Sequence, residues 1–149
     1  MSVIYDYFSA ASDDLAVTVL TVGGGPTAEG SGFDTASAGG IDPVVQLGTL
    51  EALLTGTPYD DVTEDPRAGL NLAMSEDYDQ IVITVTDALA TALAAVDDAR
   101  LAEVAVPWSQ TDELAGSDPA GLAGFLRELA ALARGAEASG HRLYCWVCI

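Results

Sequence analysis

The sequence contains no lysine, and its 5 basic residues, all arginine, stand against 23 acidic residues, which gives a formal net charge of −18 over 149 residues. A surface of this charge repels nucleic acid and anionic membranes, so we expect neither as a partner. Long hydrophobic runs are missing too, because charges interrupt each stretch that approaches the roughly 18 apolar residues of a membrane-spanning helix. These deficits exclude basic nucleic-acid-binding domains and membrane spans.

Signals for export are equally sparse. The first residues carry Asp6 and no basic segment, and no apolar run follows before Asp13. A secretory signal peptide needs both features, so we predict a cytoplasmic protein. Two cysteines, Cys145 and Cys148, are too few for a disulfide framework.

The two cysteines form a CxxC pattern, which raises the question of redox or metal chemistry. Redox CxxC motifs depend on a helix N-terminus that lowers the thiol pKa, whereas Cys145 and Cys148 lie in a predicted strand at the chain's end. Strand alternation places them on opposite faces. A zinc site would need further ligands, and His141 is the single histidine. We therefore interpret both as buried thiols and expect no cofactor, no metal and no catalytic residue.

Half of the residues are hydrophobic and 19% are charged, which predicts a folded chain. Its length suits a single domain over residues 1–149. Capping patterns predict helices that start near Ser12, at Asp42-Pro43, at Thr86 or Asp87, and at Asp118-Pro119. Strand-like runs cover 3–8, 69–74, 80–85 and 142–149, the middle two as a hairpin.

Together these elements predict an α+β fold, with a mixed sheet of about four strands and amphipathic helices packed on it. The run from Arg142 to Ile149 is apolar on both faces, so it should be a central strand. The first and last strands are both apolar, and we expect them in the same sheet.

Two predicted loops, the segment 21–32 and the connection at Trp108, are candidates for a functional role. The glycine-rich segment 21–32 lacks the lysine and hydroxyl residue of a phosphate-binding loop, and we interpret it as a mobile loop that could act as a lid. Trp108 follows Pro107 in a predicted connection. It either covers the edge of the core, the reading we favour, or is partly exposed and anchors an interface.

The connector after the second predicted helix carries four carboxylates, Asp60, Asp61, Glu64 and Asp65. Their spacing does not match an EF-hand loop. A solvated acidic face is the interpretation we favour, with a cation site as the alternative. These four residues and Trp108 are the candidate binding residues.

The segment from Leu50 to Gly56, LEALLTG, resembles the helix end of the YfbM-like family of small bacterial proteins of unknown function. The order of the following strand, helices and last strand is similar too. The sequence departs from the family's pattern before the leucines, where Pro43-Val44-Val45-Gln46 replaces a lysine and a bulky aromatic residue. The resemblance implies an α+β fold, core positions for Leu53 and Leu54, and no catalytic residue.

Three functions remain open. The first is a non-enzymatic interaction protein that binds a basic protein through its acidic surface, for example as an immunity protein that covers a basic toxin. The second is a small-molecule binding or sensing domain, which a deep apolar pocket with few polar groups would support. The third is a metal-assisted hydrolase, which would need the four connector carboxylates to converge on one cation.

Overall fold

A computed structural model describes residues 3–37 and 41–149. Its strands form one five-stranded sheet in the order β2-β1-β5-β4-β3, and each paired neighbour is antiparallel. The strands are β1 Ile4–Ala10, β2 Thr35–Ser37, β3 Asn71–Met74, β4 Gln80–Thr84 and β5 Arg142–Cys148. The α+β prediction is confirmed, but the sheet is antiparallel rather than mixed and has five strands rather than four. The additional strand, β2, has three residues, too few to show alternation in the sequence.

The first and last strands pair along their whole length, with Tyr7 opposite Cys145. β4 pairs with the other edge of β5, so β5 is the central strand, as predicted. Leu143 to Val147 are all buried. A strand with neighbours on both sides and covered faces can be apolar throughout, which is the pattern of this segment.

The α-helices are α1 Asp13–Ala16, α2 Val45–Thr55, α3 Tyr59–Thr63, α4 Asp87–Ala95, α5 Asp98–Ser109 and α6 Pro119–Ser139. Side chains cap four of them: Ser12, Thr86, Asp97 and Asp118 each accept a hydrogen bond from a backbone amide of the first turn. These caps confirm three of the predicted helix starts. Gly56 and Gly140 end α2 and α6 in the left-handed conformation that glycine adopts at little cost.

The predicted start at Asp42-Pro43 is early by two residues. The Asp42 carboxylate accepts hydrogen bonds from the amides of Val44 and Val45, both at 3.0 Å. The helix begins only at Val45, so Val44 lies outside the buried stripe and is 44% exposed. Asp42 thus satisfies the free amides without being the formal cap residue.

The placement of Trp108 in a connection is wrong, whereas the favoured reading that it belongs to the core is confirmed. α5 continues through Pro107 to Ser109, so the residue is helical and not in a connection. The Trp108 side chain is 0% exposed, and its Nε1 donates to the Gln46 carbonyl at 3.0 Å. A fully buried side chain cannot anchor an interface, and Trp108 is a core residue that links α5 to α2.

The two faces of the sheet are covered differently. Helices α2, α4, α5 and α6 enclose the larger core on one face, which includes Tyr7 and Cys145. Phe8, Tyr144 and Trp146 face the other side, where α1 and the turn Val17–Thr21 pack. Gly25 of the glycine-rich segment also lies there, against the Trp146 ring. Within residues 3–37 and 41–149, no helix has the length and hydropathy needed to cross a bilayer.

Candidate ligand-binding cavity

A cavity of about 200 Å³ lies where α2, α3, the end of β4 and the start of α4 meet. Apolar side chains supply most of its wall. The described lining residues are Pro43, Val44, Leu47, Gly48, Glu51, Val62, Thr63, Ala68, Gly69, Thr84, Val85, Thr86 and Leu89. Among them Glu51 is the single ionisable side chain. Mostly apolar walls with a few polar groups are typical of small-molecule sites.

Two glycines bring the walls of the cavity together. A Cβ atom on Gly48 would lie 2.9 Å from Cε2 of Tyr59, so α2 and α3 approach each other closely only because position 48 has no side chain. Gly69 has a φ of +66°, and a Cβ there would lie 2.8 Å from Val44 Cγ2. Both contacts are shorter than side chains tolerate, so larger residues would push these walls apart.

Glu51 is buried at the cavity, with 5% of its surface exposed. Thr86 Oγ1 donates a hydrogen bond to Glu51 Oε1 and accepts one from the Leu89 amide at 3.1 Å. Since the Thr86 proton is used toward Glu51, the carboxyl oxygen must act as an acceptor there. The positive end of the α4 dipole at Thr86 also favours negative charge on Glu51.

Burial raises the pKa of Glu51, and the negative charge of Asp65 raises it further, while the Thr86 hydrogen bond acts in the opposite direction. Removal from water disfavours the ionised carboxyl, and a neighbouring carboxylate repels it. A buried carboxyl with a raised pKa is a feature of functional sites, although structural networks produce it too. Chemically, Glu51 can accept hydrogen bonds from a ligand or pair with a cation.

Thr84, another hydroxyl residue of the wall, stabilises the scaffold. Thr84 is fully buried; its Oγ1 donates to the Arg67 carbonyl at 2.5 Å and accepts from the Leu70 amide at 3.2 Å. It fixes the connector 64–70 onto β4. Within the connector, Asp65 Oδ1 accepts a hydrogen bond from the Arg67 amide at 2.9 Å.

The four predicted binding carboxylates lie on and just after α3. Asp60, Asp61 and Glu64 are exposed, whereas Asp65 is half-buried. Val62 and Thr63 between them line the cavity, so the acidic residues flank it.

A cation site at these carboxylates is not supported. In the part of the chain that the structure describes, no group of three or more histidine, cysteine, aspartate or glutamate side chains is placed to hold a metal ion. The metal-assisted hydrolase required Asp60, Asp61, Glu64 and Asp65 to converge. Asp60 and Asp61 lie on α3 and Glu64 and Asp65 follow it, and this arrangement does not bring three of them together.

Sequence reasoning missed Glu51, although a signal was present. Leu47, Leu50, Glu51 and Leu54 follow the three- and four-residue spacing of the buried face of α2. An ionisable residue on the apolar face of a helix is either paired or functional, so this pattern indicates position 51 as a candidate site. Leu53 and Leu54 are half-buried and pack against the core.

A second polar cluster lies on the opposite face of the sheet. Arg67 makes a bidentate ion pair with Asp13, with both N–O distances 3.1 Å, and the Tyr144 hydroxyl donates to Asp13 Oδ1 at 2.6 Å. The hydrogen bonds from Arg67 and Tyr144 hold the pKa of the Asp13 carboxyl below its usual range. Arg67 Nε is buried without a hydrogen-bond partner. The cluster ties α1 and the connector 64–70 to the central strand.

The remaining motifs carry no chemistry that the geometry supports. Cys145 is buried in the larger core and Cys148 packs on the other face, as alternation predicted, and both are free thiols. Cys148 is only half-buried, so the prediction of two buried thiols holds for Cys145 alone. Burial raises the pKa of the Cys145 thiol, which makes it a poor nucleophile. The His141 amide donates to the Ala136 carbonyl at 2.7 Å at the end of α6.

The glycine-rich segment does not act as a lid on this cavity. No described residue of 21–32 lines it, since the segment covers the other face of the sheet near Trp146.

Comparisons with known proteins gave no match: no family model matches the chain, and neither a curated protein nor a solved structure is similar to it. The resemblance to the YfbM-like family stays a prediction.

Proposed function

We propose that this protein binds a small molecule in the cavity beside Glu51. The observation that carries the proposal is a buried carboxyl group in a largely apolar cavity of about 200 Å³. Removing a carboxyl from water is unfavourable unless something compensates for it. A packed leucine or glutamine at position 51 would avoid that penalty, so the buried acid is best explained by a ligand.

The proposed role is binding or sensing rather than catalysis. General acid–base or nucleophilic chemistry requires a second reactive group within hydrogen-bond reach of the first. Glu51 is the single ionisable side chain among the described lining residues, and Thr86, its neighbour, already uses its proton in the hydrogen bond to Glu51. This arrangement suits recognition of a ligand.

An NMR fragment screen tests this function. Fragments of about six to eight non-hydrogen atoms should shift backbone amide signals of Leu47, Gly48, Val85 and Leu89 together. The Thr63→Trp variant, at an exposed rim position, should weaken this binding by obstructing the cavity. Thr91→Trp is the matched control, because Thr91 is an exposed helical threonine that does not line the cavity. Binding that both variants retain would contradict the assignment of the cavity.

A second candidate is binding of a basic protein by the acidic surface, in the manner of an immunity protein. The net charge of −18 and the exposed row Asp60, Asp61 and Glu64 favour it. Opposite charge accelerates association and makes it sensitive to salt. This function and ligand binding use neighbouring surfaces and are compatible.

A pull-down from a lysate of the source cells, washed with rising salt, tests the second candidate. A stoichiometric basic protein should elute at moderate salt, and the triple variant D60N/D61N/E64Q should lose it. The triple variant E29Q/E128Q/E137Q removes the same charge from exposed positions elsewhere and should retain it. Equal loss in both variants would show a nonspecific charge effect.

A further inference from the structure

We infer that the ligand of the Glu51 cavity is a small primary amine, bound as its ammonium ion with an apolar body of about six or seven carbon atoms. This inference rests on the proposed function and specifies the chemical class of the ligand. Three properties of the site lead to it: the kind of polar group inside, the sign of the surrounding charge, and the size of the space.

The polar group inside the cavity is an acceptor. A carboxylate offers about four lone-pair positions on two oxygens, and Thr86 occupies one of them on Oε1. An ammonium group carries three donors, of which one or two can reach the free acceptor positions, and it neutralises the charge of the carboxylate. An alcohol supplies one donor and no charge.

The charged residues that line the cavity or act on Glu51 are acidic. Asp65 lies close enough to Glu51 for its negative charge to disfavour ionisation of Glu51. Asp60 and Asp61 lie on the helix that forms part of the wall, and Glu64 follows it directly. None of the described lining residues is basic. An anion would be repelled by Glu51 and by these carboxylates, whereas a cation is concentrated near the site by the same field.

The space sets the size of the apolar body. A cavity of about 150 Å³ holds benzene, so about 200 Å³ accommodates a ligand slightly larger than six carbon atoms. Besides Glu51, the walls present the branched side chains of Leu47, Val62, Val85 and Leu89. Such walls favour a compact aliphatic ring or chain over a polar body.

The test is a calorimetric and NMR titration with three molecules of one shape: cyclohexylamine, cyclohexanol and cyclohexanecarboxylate. The amine should bind at least about tenfold more tightly than the alcohol, since a hydrogen bond to a charged group contributes more than a neutral one. The carboxylate should not bind measurably. Amide signals of Leu47, Gly48 and Leu89 should report the location.

Three variants distinguish the effect of the Glu51 carboxyl group on amine binding from the effect of the overall negative charge. E51Q keeps an acceptor for Thr86 but removes the charge, so it should lose the preference for the amine while still binding cyclohexanol. D65N should weaken amine binding by a smaller factor. E128Q removes one exposed charge outside the cavity and should leave the affinity unchanged within about twofold.

The outcomes distinguish this inference from the proposed function. Equal affinity for amine and alcohol, or an amine preference that survives in E51Q, would overturn the ammonium assignment while leaving a ligand-binding cavity. Failure of the folded protein to bind cyclohexylamine would also overturn it. The proposed function would fail separately if neutral fragments of this size also left the cavity amides unshifted.

Discussion

Gly25 lies against the indole ring of Trp146 so closely that a Cβ atom at position 25 would be 2.7 Å from Cζ3 of the ring. Gly25 has a φ of +79°, which L-residues adopt only at a penalty. The glycine-rich segment therefore packs closely against the second face of the sheet at this position. Its glycines allow close approach to an aromatic side chain.

Replacing Gly25 with alanine should therefore destabilise the protein by about 2–4 kcal/mol, from left-handed backbone strain and overpacking combined. Urea denaturation monitored by circular dichroism measures this loss. Gly30→Ala is the matched control, because Gly30 has a φ of +80° but open space around it, and should lose only about 1 kcal/mol. Equal losses at both positions would mean that the Trp146 contact is unimportant.

The Asp13–Arg67 pair makes stability depend on acid pH. The folded-state pKa of Asp13 is lowered, chiefly by the Arg67 hydrogen bond, so the stabilisation is present above the unfolded pKa and is lost as pH falls through the folded pKa. At pH 7, Asp13→Asn should cost about 1 kcal/mol, because it leaves a largely buried guanidinium with a weaker partner while solvent screens the half-exposed carboxylate.

The difference between Asp13→Asn and the parent should shrink as the pH falls below about 4. Denaturation midpoints at pH 7 and pH 3 measure it. Asp14→Asn, an exposed neighbour in the same first helical turn, controls for the helix dipole. A pH-independent difference would show that the effect of Asp13→Asn is steric.

The contribution of Glu51 to folding stability should depend on pH in the opposite sense. Burial raises its folded-state pKa, so its contribution is most favourable below the unfolded pKa and declines as pH rises through the folded pKa. Glu51→Gln should raise the melting temperature at pH 7 in the absence of ligand and should make little difference at pH 3.5. Thermal unfolding of the parent, E51Q and the exposed control E128Q at both pH values measures this. Destabilisation by E51Q at pH 7 would contradict a strained, ligand-dependent carboxylate.

Trp108 provides a test of the core. Trp108→Phe removes the Nε1 hydrogen bond to Gln46 and leaves unfilled volume between α5 and α2, and the expected loss is about 1–3 kcal/mol. Fluorescence tests the burial of Trp108 separately. In the Trp146→Phe variant, Trp108 is the only tryptophan, and it should emit at short wavelength and resist quenching by acrylamide. Efficient quenching would contradict its burial.

Local patterns identified most of the elements correctly. The caps at Ser12, Thr86 and Asp118 depend on interactions within a few residues, which is why the sequence reveals them. The apolar run 143–147 identified a central strand for the same reason, because burial on both faces leaves a continuous signature.

The cavity could not be predicted in that way. Glu51 and Thr86 are 35 residues apart, and Gly69 and Val44 meet only because the connector 64–70 folds back on α2. Trp108 illustrates the same limit: Pro107 indicated a helix end, yet packing of α5 against α2 kept the helix intact through Ser109.

The sequence by itself determined the acidic, lysine-free composition, the α+β class, the helix caps and the central position of β5, because each follows from composition or from short-range periodicity. Tertiary structure alone decided that Glu51 is buried, that Trp108 lies inside a helix, and that the glycine-rich segment packs on a face of the sheet. Burial results from the summed packing of residues distant in the chain, and no local pattern encodes that sum.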